Sequence, residues 1–218
     1  MSSLNFRAVF AIFLVLHFCD VLAEEPTQQK DSPYQRARAA LGKVLGGEYS
    51  KYIQEVTAGD LNNDGVEDLS ILILKTIDAP QIAILFGSSD GYKLGAISKR
   101  FCWAKYHYNL EVRAQSLFLM TVHTLKPSDH TYQFAMRNNE LVLIGLEETN
   151  FENDQTDGYG KSVNYLTHQV IYWRHTGHKR REVKKPIAKS PLIPLSGFDC
   201  ESFEEPGGWI KDDFSFEP

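Results

Sequence analysis

Residues 59–74, GDLNNDGVEDLSILIL, are the stretch of this chain that decides its fold class. The apolar part, which continues to Lys75, is almost unbroken and is typical of a β-strand buried on both faces. Another predicted strand, at residues 53–58, precedes the acidic part, so two strands enclose a short loop of turn-forming residues. The pattern therefore predicts a strand–loop–strand unit at the start of a β domain.

The loop at residues 60–68 carries side chains suited to calcium. Calcium takes about six to eight oxygen ligands, and backbone carbonyls serve as well as carboxylates. The candidate ligands alternate along the loop, and the fourth of them acts through its carbonyl: Asp60, Asn62, Asp64, Val66 and Asp68. Gly65 permits the sharp turn between them. Three carboxylates this close repel one another without a cation, so we predict a calcium site; the alternative is a metal-free acidic turn.

The loop is not an EF-hand, because Ile71 stands where an EF-hand needs a bidentate Glu. Instead, residues 59–68 match G-D-x-N-x-D-G-x-x-D and run straight into an apolar strand. This pattern resembles the calcium loop of the FG-GAP and VCBS repeat families, found in integrin α-chain propellers and many exported bacterial proteins. Leu85-Phe86-Gly87 and the Asp90-Gly91 turn resemble that repeat's next strand and hairpin. The resemblance covers about residues 53–95 in one copy, whereas a propeller of this family carries several, and it implies a calcium-binding β protein.

The rest of the chain predicts an all-β fold with one N-terminal helix. The helix is expected at residues 33–45, because Ser32 and Gln35 form a capping box and two glycines follow the last apolar position. Two antiparallel four-stranded meanders and a partial third are expected next, arranged as a small propeller or a β-sandwich. The strands are expected at residues 53–58, 69–75, 81–86, 92–98, 110–113, 116–125, 131–137, 140–147, 161–166 and 169–174.

Two polar stretches are interpreted as loops. Residues 152–160 hold acids and glycines without the spacing of a calcium loop. Residues 174–189 are strongly basic and are interpreted as a solvated loop, for which a phosphate-binding patch is the alternative.

The N-terminus predicts export. Residues 1–23 contain Arg7, an apolar stretch and a signal-peptidase site that places cleavage near Ala23, so the mature protein is expected to be periplasmic or secreted. A lipoprotein box at Cys19 is the alternative. Residues 24–31 are expected to be a disordered spacer. Residues 32–200 then form a single β domain and residues 201–218 an acidic, aromatic tail, and no transmembrane segment is expected.

Export also bears on the cysteines. Cys102 and Cys200 remain after cleavage, and an oxidising compartment permits a disulfide between them. Such a bridge would close a long loop and contribute about 4–5 kcal/mol to stability in the chain-entropy model. Two buried free thiols are the alternative.

The net charge of −5 disfavours nucleic acid as a partner, and no catalytic or cofactor-binding residue is recognised. The order of one helix, the calcium loop, residues 141–145 and residues 162–167 resembles that of a group of bacterial periplasmic proteins, which includes immunity proteins and inhibitors of lysozyme-like toxins, although the inhibitors' Ser-Gly-x-x-Tyr loop is not found here. The sequence predicts a non-enzymatic calcium-binding protein with a macromolecular partner, which is expected to be a protein. The alternatives are a calcium-stabilised envelope hydrolase acting on glycan or peptide, and an envelope protein of purely structural use.

Overall fold

The computed structural model describes residues 32–75, 80–99, 106–123, 128–152, 157–199 and 203. The predicted signal peptide, the spacer, both cysteines of the predicted disulfide and all of the tail except Phe203 lie outside these residues. The described chain forms one α-helix and eleven β-strands: α1 (Pro33–Val44), β1 (Ile53–Gly59), β2 (Asp68–Leu74), β3 (Pro80–Ser88), β4 (Gly91–Ile97), β5 (Tyr106–Arg113), β6 (Ser116–His123), β7 (Ser128–Arg137), β8 (Glu140–Glu152), β9 (Asp157–Asn164), β10 (Gln169–Thr176) and β11 (Lys179–Pro186).

Helix α1 begins at the capping box that the sequence contains. The Ser32 side chain accepts a hydrogen bond from the Gln35 amide at 3.3 Å, and the Gln35 side chain accepts one from the Ser32 amide at 3.1 Å. The helix ends at Val44, one residue before the expected boundary, and Gly46 follows with φ +102°. Among the described helices, none is long and apolar enough to cross a membrane.

Strands β1 to β4 form a four-stranded antiparallel sheet in chain order. The central strand β2 is buried on both of its faces, as its apolar run predicts. Ile71 and Ile73 pack with α1 in a helix-side core, whereas Leu72 points to the opposite face and joins a second cluster, the central core. The sheet is therefore covered by α1 on one side and by the central core on the other.

Strands β5 to β11 form one seven-stranded antiparallel sheet, also in chain order. The prediction of a four-stranded meander followed by a separate partial third was wrong. The reason is the length of β8, which runs on to Glu152 and pairs with both β7 and β9. One long strand thereby joins the two predicted groups into a single sheet.

The central core is built from both sheets. Leu72 and Ile84 of the smaller sheet share this cluster with Leu117 and Phe134 of the larger one, and Phe198 from the chain after β11 joins them. Two sheets packed over one apolar layer make a β-sandwich, with α1 outside it. Of the two architectures expected from the sequence, the fold is the sandwich and not the propeller.

The interpretation of residues 152–160 and 174–189 as loops was wrong in part. Residues 174–189 contain the end of β10 and all of β11, and residues 152–160 contain the end of β8 and the start of β9, while 153–156 lie outside the described residues. Gly160 explains the second error. A Cβ at this position would overlap the Glu148 carbonyl oxygen and the Trp173 ring, so this glycine permits close packing within a sheet instead of marking a turn.

The two sheets also meet through a carboxylate on β1. Glu55 accepts a hydrogen bond at 3.0 Å from the backbone amide of Leu110 on β5. Burial raises the pKa of Glu55 above its ordinary value of 4.5, and the hydrogen bond from Leu110 opposes that rise. A carboxyl whose pKa is higher in the folded state stabilises the fold below its unfolded pKa, and this contribution is lost as the pH rises through the folded pKa.

We expect Glu55→Gln to change the pH dependence of stability. Glutamine does not titrate. The free energy of unfolding of the variant, relative to that of the wild type, should therefore be higher at pH 7 than at pH 4. Urea unfolding of both proteins at the two pH values measures this difference. Glu140→Gln, at the exposed first residue of β8, is the matched control, and its stability relative to the wild type should change little between the two pH values. If the relative free energy of unfolding of Glu55→Gln is instead higher at pH 4, folding lowers the pKa of Glu55 and does not raise it.

Candidate metal centre

The loop between β1 and β2 is held by the pairing of those two strands. Gly59 at the end of β1 lies opposite Asp68 at the start of β2, so the eight residues between them must close a tight connection. Asn63 and Gly65 adopt left-handed backbone conformations, with φ of 62° and 81°. Glycine and asparagine are the residues that tolerate this region best. The turn residues of the sequence thus produce the compact loop directly.

Three of the predicted ligands present their polar groups to one another. The amide of Asp64 donates to Asp60 Oδ1 at 3.2 Å and to Asn62 Oδ1 at 3.1 Å. The other Asp60 oxygen accepts from the amide of Gly65 at 3.0 Å. Asn62 Nδ2 donates to Asp64 Oδ2 at 2.9 Å, while Asp64 Oδ1 accepts from the amide of Val66 at 2.8 Å. The loop therefore collects oxygen atoms of Asp60, Asn62 and Asp64 in one small region.

Asp68 lies beneath the loop and is fully buried. One of its oxygens accepts from the amide of Leu61 at 2.8 Å, and the other accepts from the amide of Gly87 on β3 at 2.9 Å. Burial raises the pKa of the Asp68 carboxyl, the hydrogen bonds from backbone amides lower it, and the nearby Asp64 charge adds a smaller rise. Asp68 therefore ties the loop to the neighbouring strand, a role that sequence reasoning did not assign to it.

Gly87 makes this contact possible. A Cβ on Gly87 would overlap the carbonyl oxygen of Glu67 and press on the Val66 side chain. Only a residue without a side chain lets β3 approach the loop closely enough for its amide to reach Asp68. The Phe86-Gly87 pair that resembles the repeat family thus has a direct structural reason in this chain.

The loop also contacts two other parts of the molecule. The Arg36 guanidinium of α1 lies 2.5 Å from the Glu67 carboxylate, with the Arg36 side chain largely buried. The Gln115 side chain, in the turn between β5 and β6, donates to Asn63 Oδ1 at 2.5 Å. The loop is consequently connected to the helix and to the larger sheet as well as to its own strands.

The oxygen donors of the loop are of the kind that calcium binds, although its carboxylates do not form a metal site by themselves. Across the described ranges, no group of three or more His, Cys, Asp or Glu side chains lies close enough to hold a metal ion by itself. The loop, however, adds an amide oxygen of Asn62 and backbone carbonyls, and all of these donors are oxygens, which hard cations prefer. Each Asp68 oxygen that accepts one amide hydrogen retains a second lone pair. An ion here would be held by Asp60, Asn62 and Asp64, with the Val66 carbonyl and Asp68 completing the set.

A second group of charged residues, which sequence reasoning missed, lies across the larger sheet. Register places His130, Glu148 and Lys161 directly opposite one another on β7, β8 and β9. Glu148 Oε1 lies 3.4 Å from His130 Nε2, and Glu148 Oε2 lies 3.5 Å from Lys161 Nζ. Glu148 and Lys161 are both buried. No local spacing connects these three positions, so only the strand pairing reveals the cluster.

A cavity of about 460 Å³ lies beside the segment that follows β11. Its wall is mostly apolar and includes Leu143, Tyr165, Phe198 and Phe203. Among the described residues that line the cavity, Asp199 is the acidic one.

No family model and no curated protein matches this chain. A search of solved structures finds the structure of a Xanthomonas Type IV Secretion System related protein, at a TM-score of 0.34 and 17% sequence identity. The alignment covers 59% of this chain and 57% of that chain, so this chain matches little more than half of that protein's length. A similarity at this TM-score supports no statement about fold or function.

Proposed function

We propose that this protein is an exported calcium-binding β-sandwich protein that acts by binding a protein partner and not by catalysis. The observation that carries the calcium assignment is the shared hydrogen bond of the Asp64 amide, which holds oxygens of Asp60 and Asn62 within about 3.2 Å of one atom. The resemblance of residues 59–68 to the FG-GAP and VCBS loop supports the same assignment.

Calcium bound here would stabilise the connection between the sheets. The loop leads into β2, the strand buried in both cores, and it contacts Arg36 of α1 and Gln115 of the larger sheet. An ion that binds only the folded state stabilises it by about 2.7 kcal/mol when its free concentration is a hundred times Kd. The ion would thereby hold the helix, the smaller sheet and the β5–β6 turn in one arrangement.

We expect calorimetry to detect one calcium site, and the double variant Asp60→Ala/Asp64→Ala to bind calcium about tenfold more weakly or worse. The reason is that the variant removes two of the anionic ligands. The matched control is Glu140→Ala/Glu147→Ala, which removes two exposed carboxylates on β8 of the larger sheet and changes the net charge equally. A loop variant that binds calcium as tightly as this control would refute the site.

We propose that the partner is a lysozyme-like toxin or a related envelope protein. This proposal rests on the resemblance of the chain, including residues 141–145 and 162–167, to periplasmic immunity proteins and inhibitors. Incubating the full chain with a lysozyme-like enzyme should lower that enzyme's activity, and a calcium chelator should weaken the inhibition. Hydrolysis of glycan or peptide by the chain itself, without any stable complex, would favour the envelope hydrolase over this proposal.

A further inference from the structure

The edge strand β11 concentrates positive charge on an acidic protein. Its sequence, KRREVKKP, holds five Lys or Arg residues against one Glu, whereas the whole chain carries a net charge of −5. Lys179, Arg180, Arg181 and Lys184 are exposed. In the described structure β11 pairs with β10 on one side, and no described strand pairs with its other side.

The positive side chains lie on both faces of the sheet. Val183 is opposite the buried Tyr172, so Arg181 and Lys179, two and four positions away, lie on the core face as well. Arg180 and Lys184 lie on the outer face, where the Arg180 guanidinium stands 5.2 Å from the centre of the Trp173 ring and 2.7 Å from Glu182. The charge thus alternates above and below the plane of the sheet along one edge.

Cations on both faces of the sheet edge favour an extended strand as the partner over a flat anionic surface. A flat anionic surface such as a membrane meets one face of a sheet, and it would leave the cations of the other face without a counterpart. A strand added beside β11 would direct its own side chains alternately to both faces, and its backbone would meet the outward amides and carbonyls that an edge strand presents. A second copy of this edge would bring like charges together, which opposes self-pairing.

We propose that the β11 edge binds an extended acidic segment of a partner protein by strand addition. This inference rests on the proposed function, because it names the surface that would bind the protein partner and the acidic chemistry of the segment bound there. It does not depend on calcium. Backbone pairing would supply much of the affinity, and the cations on both faces would select for acidic residues.

The test measures how tightly the full chain binds a fluorescent peptide built from Glu-Glu-Thr-Val repeats. In an extended strand this repeat places acidic side chains on both faces. Lys179→Glu/Lys184→Glu reverses one charge on each face and is expected to weaken binding about tenfold or more. Lys51→Glu/Lys93→Glu, at exposed positions elsewhere, changes the net charge equally and should have little effect. A peptide of equal charge with proline in place of each valine should also bind about tenfold more weakly, because proline removes backbone donors. Urea unfolding of each variant confirms that it is folded.

Hydrogen exchange should show added protection in β11 when the peptide is bound. Equal binding of the proline peptide, or equal effects of the two charge reversals, would overturn the proposal. Tighter binding to phosphatidylserine vesicles than to the peptide would overturn it as well.

A parallel calcium titration separates this proposal from the calcium assignment. Absence of peptide binding beside one intact calcium site overturns strand addition alone, and peptide binding without a calcium site overturns the calcium assignment alone.

Discussion

Replacing Glu148 by alanine is expected to lower the free energy of unfolding by about 3–5 kcal/mol. Glu148 and Lys161 are buried at 4% and 1% exposure, with their charged groups 3.5 Å apart. Removal of the carboxylate takes this charge partner away from the ammonium group of Lys161 in the interior, and the contact with His130 is lost as well. Urea unfolding at neutral pH measures the change.

The control replaces both members of the pair by apolar residues of similar size, Glu148→Leu with Lys161→Met. Exchanging a buried ion pair for well-packed apolar side chains is often neutral or stabilising. The double variant should therefore recover most of the loss caused by Glu148→Ala. If the double variant is as unstable as the single one, the loss is due to packing and not to charge, and the interpretation fails.

Replacing Asp68 by alanine is expected to lower the free energy of unfolding by about 2–4 kcal/mol even with calcium removed by a chelator. The side chain is fully buried and accepts hydrogen bonds from the amides of Leu61 and Gly87. A buried donor left without an acceptor costs about 1–3 kcal/mol. The substitution leaves two of them at the base of the loop, and denaturant unfolding in the presence of chelator isolates this effect from metal binding.

Two further variants sharpen the Asp68 experiment. Asp68→Asn keeps one acceptor oxygen and should recover part of the loss. Asp90→Ala removes an exposed carboxylate from the β3–β4 turn and should change stability by less than about 0.5 kcal/mol. Equal stability of Asp68→Ala and Asp90→Ala would show that the two amides find other partners, which would remove Asp68 from the structural base of the loop.

The elements that the sequence predicted well are those with local causes. The start of α1 follows from the side-chain and backbone hydrogen bonds of Ser32 and Gln35, three positions apart. Strand β2 follows from an apolar run that fits one environment, a strand covered on both faces. In each case neighbouring residues contain the whole signal, because the interaction acts over a few positions of the chain.

The elements that were missed depend on distant neighbours. Six of the eight residues of strand β11 are charged, with no apolar alternation, and the segment is extended because β10 pairs with it along its length. Gly158 and Gly160 resemble turn residues in the sequence, yet they lie within β9, where the chain packs closely against β8 and Trp173. Cross-strand pairing overrides local propensity in both places.

The sequence by itself determined that this is a β protein with one capped N-terminal helix, and it located the acidic loop at residues 60–68 through the order of its carboxylates and glycine. The tertiary structure alone decided that the strands form a sandwich, that Asp68 is fixed by Gly87 from the next strand, and that Glu148 meets His130 and Lys161. The physical reason is the range of the forces involved. Turn and capping preferences act between near neighbours in the chain, whereas sheet register and buried ion pairs arise only when distant segments are brought together.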